Sequence, residues 1–191
     1  MKFVMTRFFA DAGANADTQK ALDASIRTRA LGVGEFLVRQ GEPAPNLYFV
    51  HKGLVKMFYI TAEGKEFVKS FIAEGQLTGS LSALMEGGES TFSIVCLEPV
   101  AAEYVPADVF ADLVEGDVGM LRCGYRLFQT LALKKEMREF GFLCLTPEER
   151  YRRFMDENPH LAARVTQADI ARYLGITPVA LSRIRSRIKA S

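Results

Sequence analysis

The stretch from Val165 to Lys189 constrains the fold more than any other, because its punctuation fixes two short helices on either side of a sharp turn. Thr166 is placed to cap the first helix, with Asp169 at the third helical position completing a short capping box. Ile170, Ala171 and Leu174 then form an apolar stripe, and Gly175 stops the helix. Beyond Gly175 and Ile176, Thr177 supplies a second cap. Pro178 stands at the first position of the next helix, where its missing N–H costs nothing.

On a wheel of about 100° per residue, Leu181, Ile184 and Ile188 fall on the side that must pack inward. Val179, Ser182, Arg183 and Ser186 occupy the other side, flanked by Arg185, Arg187 and Lys189. Small groups around one arginine, with cations on the shoulders, suit a DNA major groove, where an Arg reads guanine and flanking cations meet phosphates. Thr166, Gln167 and Thr177, at the two helix starts, complete the expected DNA-contacting set. Between residues 164 and 191, Arg164, Arg172, Arg183, Arg185, Arg187 and Lys189 face only Asp169 in formal charge, whereas the whole chain carries +1. The positive charge is thus segregated to one end, which favours a polyanionic partner there. The plainer alternative is a solvated basic face.

With 191 residues, 49% hydrophobic and 25% charged, the chain can bury a core as one main domain with a smaller appendage. No apolar run approaches the length of a bilayer, and the N-terminus lacks the apolar core of a signal peptide, so a cytoplasmic protein is expected. Cys96, Cys123 and Cys144 sit far apart among apolar neighbours and read as core residues. Without a C-x-x-C pair, and with only His51 and His160, neither a metal nor another cofactor is expected. No nucleophile–base constellation is present to suggest an enzyme.

Taken in order, the chain predicts a turn of helix around Thr6 to Ala10 and an amphipathic helix from Asp17 to Arg29, with Asp17 as cap and Leu22 and Ile26 inward. From Leu31 to Val105, short β-branched and aromatic runs alternate with glycines, which predicts a compact β sandwich or barrel with its clearest hairpin at Thr61 to Lys65. Residues 75–84 interrupt the strands with a Gly-bounded turn and a short helical run. Such a turn either aims N–H groups at an anion or is a plain corner. A short helix follows around Asp108 to Val114.

Asp117 is then expected to cap a long helix reaching about Phe140, with Gly141 as its stop. Val118, Leu121, Tyr125, Phe128 and Ala132 recur at 3,4,3,4 spacing, with Leu127, Leu131, Met137 and Phe140 alongside. An apolar surface this wide packs on its own domain with one face and on a second copy with the other, so Leu121, Tyr125, Phe128 and Ala132 are the expected dimer contacts. The alternative is a single buried helix in a monomer. Thr146-Pro147-Glu148-Glu149 is a capping box that starts a fresh helix running to about Glu157, where Asn158-Pro159 ends it. The expected divisions are a sensor domain over 1–116, a dimerisation helix over 117–141 and a terminal domain over 142–191.

This order, together with glycines at 34, 41, 53, 75 and 79 and the ending Ile170-Ala171-Arg172-Tyr173-Leu174-Gly175-Ile176-Thr177-Pro178-Val179-Ala180-Leu181-Ser182-Arg183-Ile184, resembles the cyclic-AMP receptor/fumarate-nitrate regulator (Crp/Fnr) family of bacterial transcription factors. The resemblance implies an α+β fold: an N-terminal cyclic-nucleotide-binding-like β-roll (a double-stranded β-helix), a long dimerisation helix and a C-terminal helix-turn-helix domain. It implies a homodimeric regulator reading an inverted repeat in double-stranded DNA, with RNA polymerase and a small-molecule effector as further partners. The effector residues it points to are Gly79, Ser80, Leu81, Ser90 and Thr91. Ser80 and Ser90 stand where cyclic-nucleotide-binding members carry a Glu for the ribose and an Arg for the phosphate, so cyclic AMP is not the expected effector. The cysteines of the iron–sulfur branch are also missing. Pro178 and Val179 replace polar base-reading residues, leaving Arg183 as the matched reader, and with Ser191 as last residue no β-wing is expected. The competing reading is a protein-interaction module that kept the fold and lost operator binding.

Overall fold

A computed structural model describes residues 2–86 and 88–190. Two helices come first, α1 (Val4–Asp11) and α2 (Ala16–Ser25). The cap of α2 is Asn15, whose side chain accepts the Thr18 N–H at 2.9 Å, while Asp17 lies in the first turn. Asp17 as cap is therefore corrected. The expected extension to Arg29 is corrected too: Ile26 turns extended with its side chain buried, and Arg27 onward pairs with a neighbouring strand. Sheet hydrogen bonding outweighs helix propensity there.

Among the described residues eight strands follow: β1 (Arg27–Leu31), β2 (Phe36–Val38), β3 (Asn46–Lys52), β4 (Val55–Ile60), β5 (Glu66–Ile72), β6 (Gln76–Thr78), β7 (Ser93–Cys96) and β8 (Val100–Pro106), with α3 (Leu81–Glu86) between β6 and β7. They make two antiparallel four-stranded sheets, ordered β1-β8-β3-β6 and β2-β7-β4-β5. Val50, Val55, Ile94 and Val100 are among the residues that fill the space between them. The Thr61–Lys65 hairpin forms as expected, closed by the Thr61 N–H to the Lys65 carbonyl at 3.0 Å.

After α4 (Ala107–Glu115), the long helix α5 spans Val118–Cys144. The Asp117 carboxylate accepts the N–H groups of Gly119 (2.6 Å) and Met120 (3.1 Å) in its first turn and of Asn15 (2.8 Å) at the start of α2, joining two helix starts through one buried side chain. A Cβ on Gly119 would run into the Gly13 backbone, so only glycine admits this approach. Gly141 does not stop α5. The helix passes it and ends at Cys144, where Leu145 turns extended, followed by Thr146, which Pro147 holds out of helical geometry. The overrun carries Cys144 to an exposed position, correcting its reading as core, whereas Cys96 and Cys123 are buried.

The terminal helices are α6 (Pro147–Glu157), α7 (Pro159–Ala162), α8 (Gln167–Leu174) and α9 (Pro178–Ala190). Their core is shared with the β-domain: Leu54, Val68, Phe71 and Ala73 pack in one cluster with Tyr151, Phe154, Ile170 and Leu174. Among the described residues no helix is long and apolar enough to cross a membrane.

Candidate nucleic-acid interface

The turn between α8 and α9 is built as its sequence dictates. Thr166 Oγ1 accepts the Asp169 N–H at 3.1 Å and donates to Asp169 Oδ2 at 2.7 Å, and Gly175 takes the left-handed conformation (φ +70°) that closes α8. Thr177 Oγ1 accepts the Ala180 N–H at 3.1 Å and so starts α9. Leu181 and Ile184 are buried, and Ile188 packs against the same cluster. Val179, Ser182, Arg183, Ser186, Arg187 and Lys189 are exposed, and Arg185 is half-buried at the edge. Thr166, Gln167 and Thr177 are exposed at the two helix starts. Thus α9 carries an outward face of short side chains around Arg183, which makes no ion pair among the described residues.

Part of the positive charge at this end is used elsewhere. Arg164 donates in bidentate fashion to Glu98 (2.9 and 2.6 Å) and again to Glu74 (3.0 and 2.8 Å), both on the β-domain. The Arg164 hydrogen bonds hold the Glu74 carboxyl down at about 2 and the Glu98 carboxyl below its ordinary range. Arg172 reaches Asp169 at 3.3 Å and Glu66 at 3.8 Å. Between the domains, Lys56 of β4 bridges Glu66 (2.8 Å) and Asp169 (2.9 Å), with its own side chain and that of Asp169 less than a tenth exposed. Burial works against the charged form of Asp169, but hydrogen bonds from Thr166 and Lys56 and the charges of Lys56 and Arg172 outweigh it and keep the carboxyl below its usual range. Sequence reasoning missed Lys56, Glu66, Glu74 and Glu98. The signal for them was the acidic excess of the remainder of the chain, complementary to its basic end.

On α5, Met120, Cys123 and Leu127 pack on the N-terminal helices and β-domain. Val118, Leu121, Tyr125 and Phe128 are more than half exposed, and Ala132 lies open on the same stripe. The helix therefore has the two apolar faces its sequence predicts. Ser80 and Ser90 are buried, Ser90 donating to the Phe92 carbonyl at 2.7 Å and Ser80 lying 3.3 Å from the Ser82 hydroxyl. Leu81 and Thr91 are exposed, and Gly79 is pressed against the Asn46 carbonyl and Leu84.

Residues 28–117 match the cyclic nucleotide-binding domain family. Over 175 residues the chain is 26% identical to the anaerobic regulatory protein of Pasteurella multocida, covering 85% of this chain and 63% of that one. It is 28% identical over 182 residues to the transcriptional activator protein anr of Pseudomonas aeruginosa, covering 85% and 70%. It is also 26% identical over 177 residues to the fumarate and nitrate reduction regulatory protein of Yersinia pestis, covering 86% and 70%. Over most of its length the chain is similar to regulators of the Crp/Fnr family. FixK2 of Bradyrhizobium japonicum shares its fold at a TM-score of 0.77 and 20% identity, covering 86% of this chain and 85% of that one. These Crp/Fnr relatives are transcriptional regulators rather than enzymes. The chain spans 63% to 70% of the length of the curated relatives named.

Proposed function

We propose that this Crp/Fnr protein is a cytoplasmic homodimer that reads an inverted repeat in double-stranded DNA through α9 and acts on transcription by RNA polymerase. The observation that carries the reading is the division of α9: Leu181 and Ile184 are buried, while Val179, Ser182, Arg183 and Ser186 face outward. An exposed helix face of small residues around one unpaired guanidinium is what the major groove accepts, the arginine donating two hydrogen bonds to a guanine edge. Arg185, Arg187 and Lys189 flank it as phosphate partners, Arg187 also lying 3.5 Å from Glu148. The apolar stripe Leu121, Tyr125, Phe128 and Ala132 pairs two copies, so that two α9 helices enter successive major grooves about 34 Å apart. Cyclic AMP is not its effector, since Ser80 and Ser90 bring no charge to the turn.

Selection from random duplexes tests this. The expected product is an inverted repeat. Arg183→Ala should then cost about 1–3 kcal/mol per half-site and relax one base pair, while Lys189→Ala weakens all sequences alike and lowers the salt slope by about one unit. Failure to enrich a repeat, or identical behaviour of the two variants on every sequence, refutes base reading by α9 and leaves the interaction-module reading.

A further inference from the structure

Within the β4/β5 pair, Lys69 stands at an irregularity of the ladder. Along the β4/β5 ladder Met57 pairs with Ser70 and Phe58 with Val68, so Lys69 is the extra residue of a β-bulge. Bulges re-aim a side chain at the expense of ladder pairing and occur beside binding sites more than elsewhere. Here the bulge sets the Lys69 ammonium 3.8 Å from the centre of the Phe92 ring and 5.7 Å from that of Tyr59. The two rings meet nearly perpendicular, at 77° with centres 6.0 Å apart. Phe92 is buried, while Tyr59 keeps an open face.

The charges around this ammonium are of its own sign. Burial, then Lys135 and Arg138 of α5, bring its pKa down to about 8. Among the described residues Lys69 forms no ion pair with a carboxylate. The nearby acid on β5, Glu66, is taken by Lys56. A half-buried ammonium near a guanidinium, with no carboxylate partner among the described residues, is unfavourable unless an anion joins it.

We infer that Lys69, with Arg138, forms a binding site for a small organic anion, its carboxylate or phosphate meeting the two cations and its flat apolar body lying on Tyr59. Rings at this spacing offer a face to a planar group, and cations at their rim hold its charge. The site uses none of the turn residues Ser80 and Ser90. It also has a physical connection to the terminal domain: Arg138 Nη2 donates to the carbonyl of Val68, adjacent to Lys69, at 2.9 Å and to that of Tyr173 in α8 at 3.2 Å. Its guanidinium lies 4.3 Å from the Tyr173 ring centre. An anion that draws on Arg138 therefore shifts the contact between α5, β5 and α8. This makes the ligand an effector only if the DNA-reading function proposed above holds; the binding itself does not depend on it.

Calorimetry on the full chain without DNA, with sodium benzoate and inorganic phosphate as probes, separates the two. Benzoate should bind saturably in the millimolar range or tighter, and more tightly than phosphate. Lys69→Met should weaken benzoate at least tenfold, whereas Lys65→Met, which removes an exposed lysine over Phe67, should change it less than twofold. Thermal melting of Lys69→Met at or above the wild-type temperature shows that the loss is not unfolding. Absence of saturable benzoate binding, equal effects of the two lysine variants, or phosphate binding as tightly as benzoate would each overturn the proposal.

Discussion

Lys56→Met probes the seam between the β-domain and the terminal helices. The ammonium is removed, and Asp169 remains buried with Thr166 and Arg172 as its side-chain partners among the described residues. Breaking a buried ion pair from one side costs about 3–5 kcal/mol, because the surviving charge is stranded. Since Thr166 and Arg172 stay, the low end applies, about 3 kcal/mol. The loss should appear in urea melts as a lower midpoint, followed by near-ultraviolet circular dichroism of Tyr151 and Tyr173, both packed at or beside this seam. Lys56→Met combined with Asp169→Asn should recover part of the loss, since the amide keeps a hydrogen bond with Thr166 without a charge; a coupling of about 1–3 kcal/mol is expected. The folded Asp169 carboxyl sits below its ordinary range, so its contribution is present above the ordinary aspartate value and fades as the pH falls through the folded one. Lys56→Met should accordingly flatten the acid side of the stability profile. A change in midpoint equivalent to less than about 0.5 kcal/mol, the size of an ordinary surface substitution, would refute the argument that this pair fixes the seam.

Phe128→Glu, at the centre of the exposed α5 stripe, should convert a dimer into monomers by light scattering, and a monomeric wild type at micromolar concentration would refute the pairing. Arg164→Ala should remove the acid-dependent part of terminal-domain stability between the ordinary glutamate value of 4.5 and about 2, since the folded Glu74 carboxyl is depressed and its contribution disappears as pH falls through that window. Gly175→Ala should destabilise by about 1–2 kcal/mol in urea melts, because φ is +70° and the new Cβ would lie 2.8 Å from the Phe142 ring. Calorimetry with millimolar cyclic AMP or cyclic GMP should give no saturable heat, since the buried Ser80 and Ser90 hydroxyls already have protein partners.

Local chemistry made the helix-turn-helix legible. Thr166, Gly175, Thr177 and Pro178 each act within four residues of themselves, and each does what its type predicts. The same holds for the capping box at Thr146 and for the Asp117 cap. What escaped depends on partners distant in the chain. Arg27 to Leu31 is a strand because β8 lies beside it. Gly141 fails as a stop because a helix interior accepts glycine at a cost of about 1 kcal/mol, whereas Pro147 enforces an end. Lys56 and Asp169, 113 residues apart, could not be paired from pattern alone. Nor could the bulge that aims Lys69, because a register slip is visible only once both strands are in place.

The shared core and the continuous α5 have a mechanical consequence. With the terminal helices seated on the β-domain and only Leu145 and Thr146 between α5 and α6, the chain is built as a stiff arm. A helix of 27 residues is about 40 Å long at about 1.5 Å per residue. Swinging such an arm by about 5° moves its far end by about 3.5 Å, close to one base-pair step of DNA. In the dimer proposed above, the crossing angle of the two α5 helices would work as a caliper: small repacking of Leu121, Tyr125 and Phe128 would change the distance spanned by the two α9 helices, and with it the spacer length between half-sites.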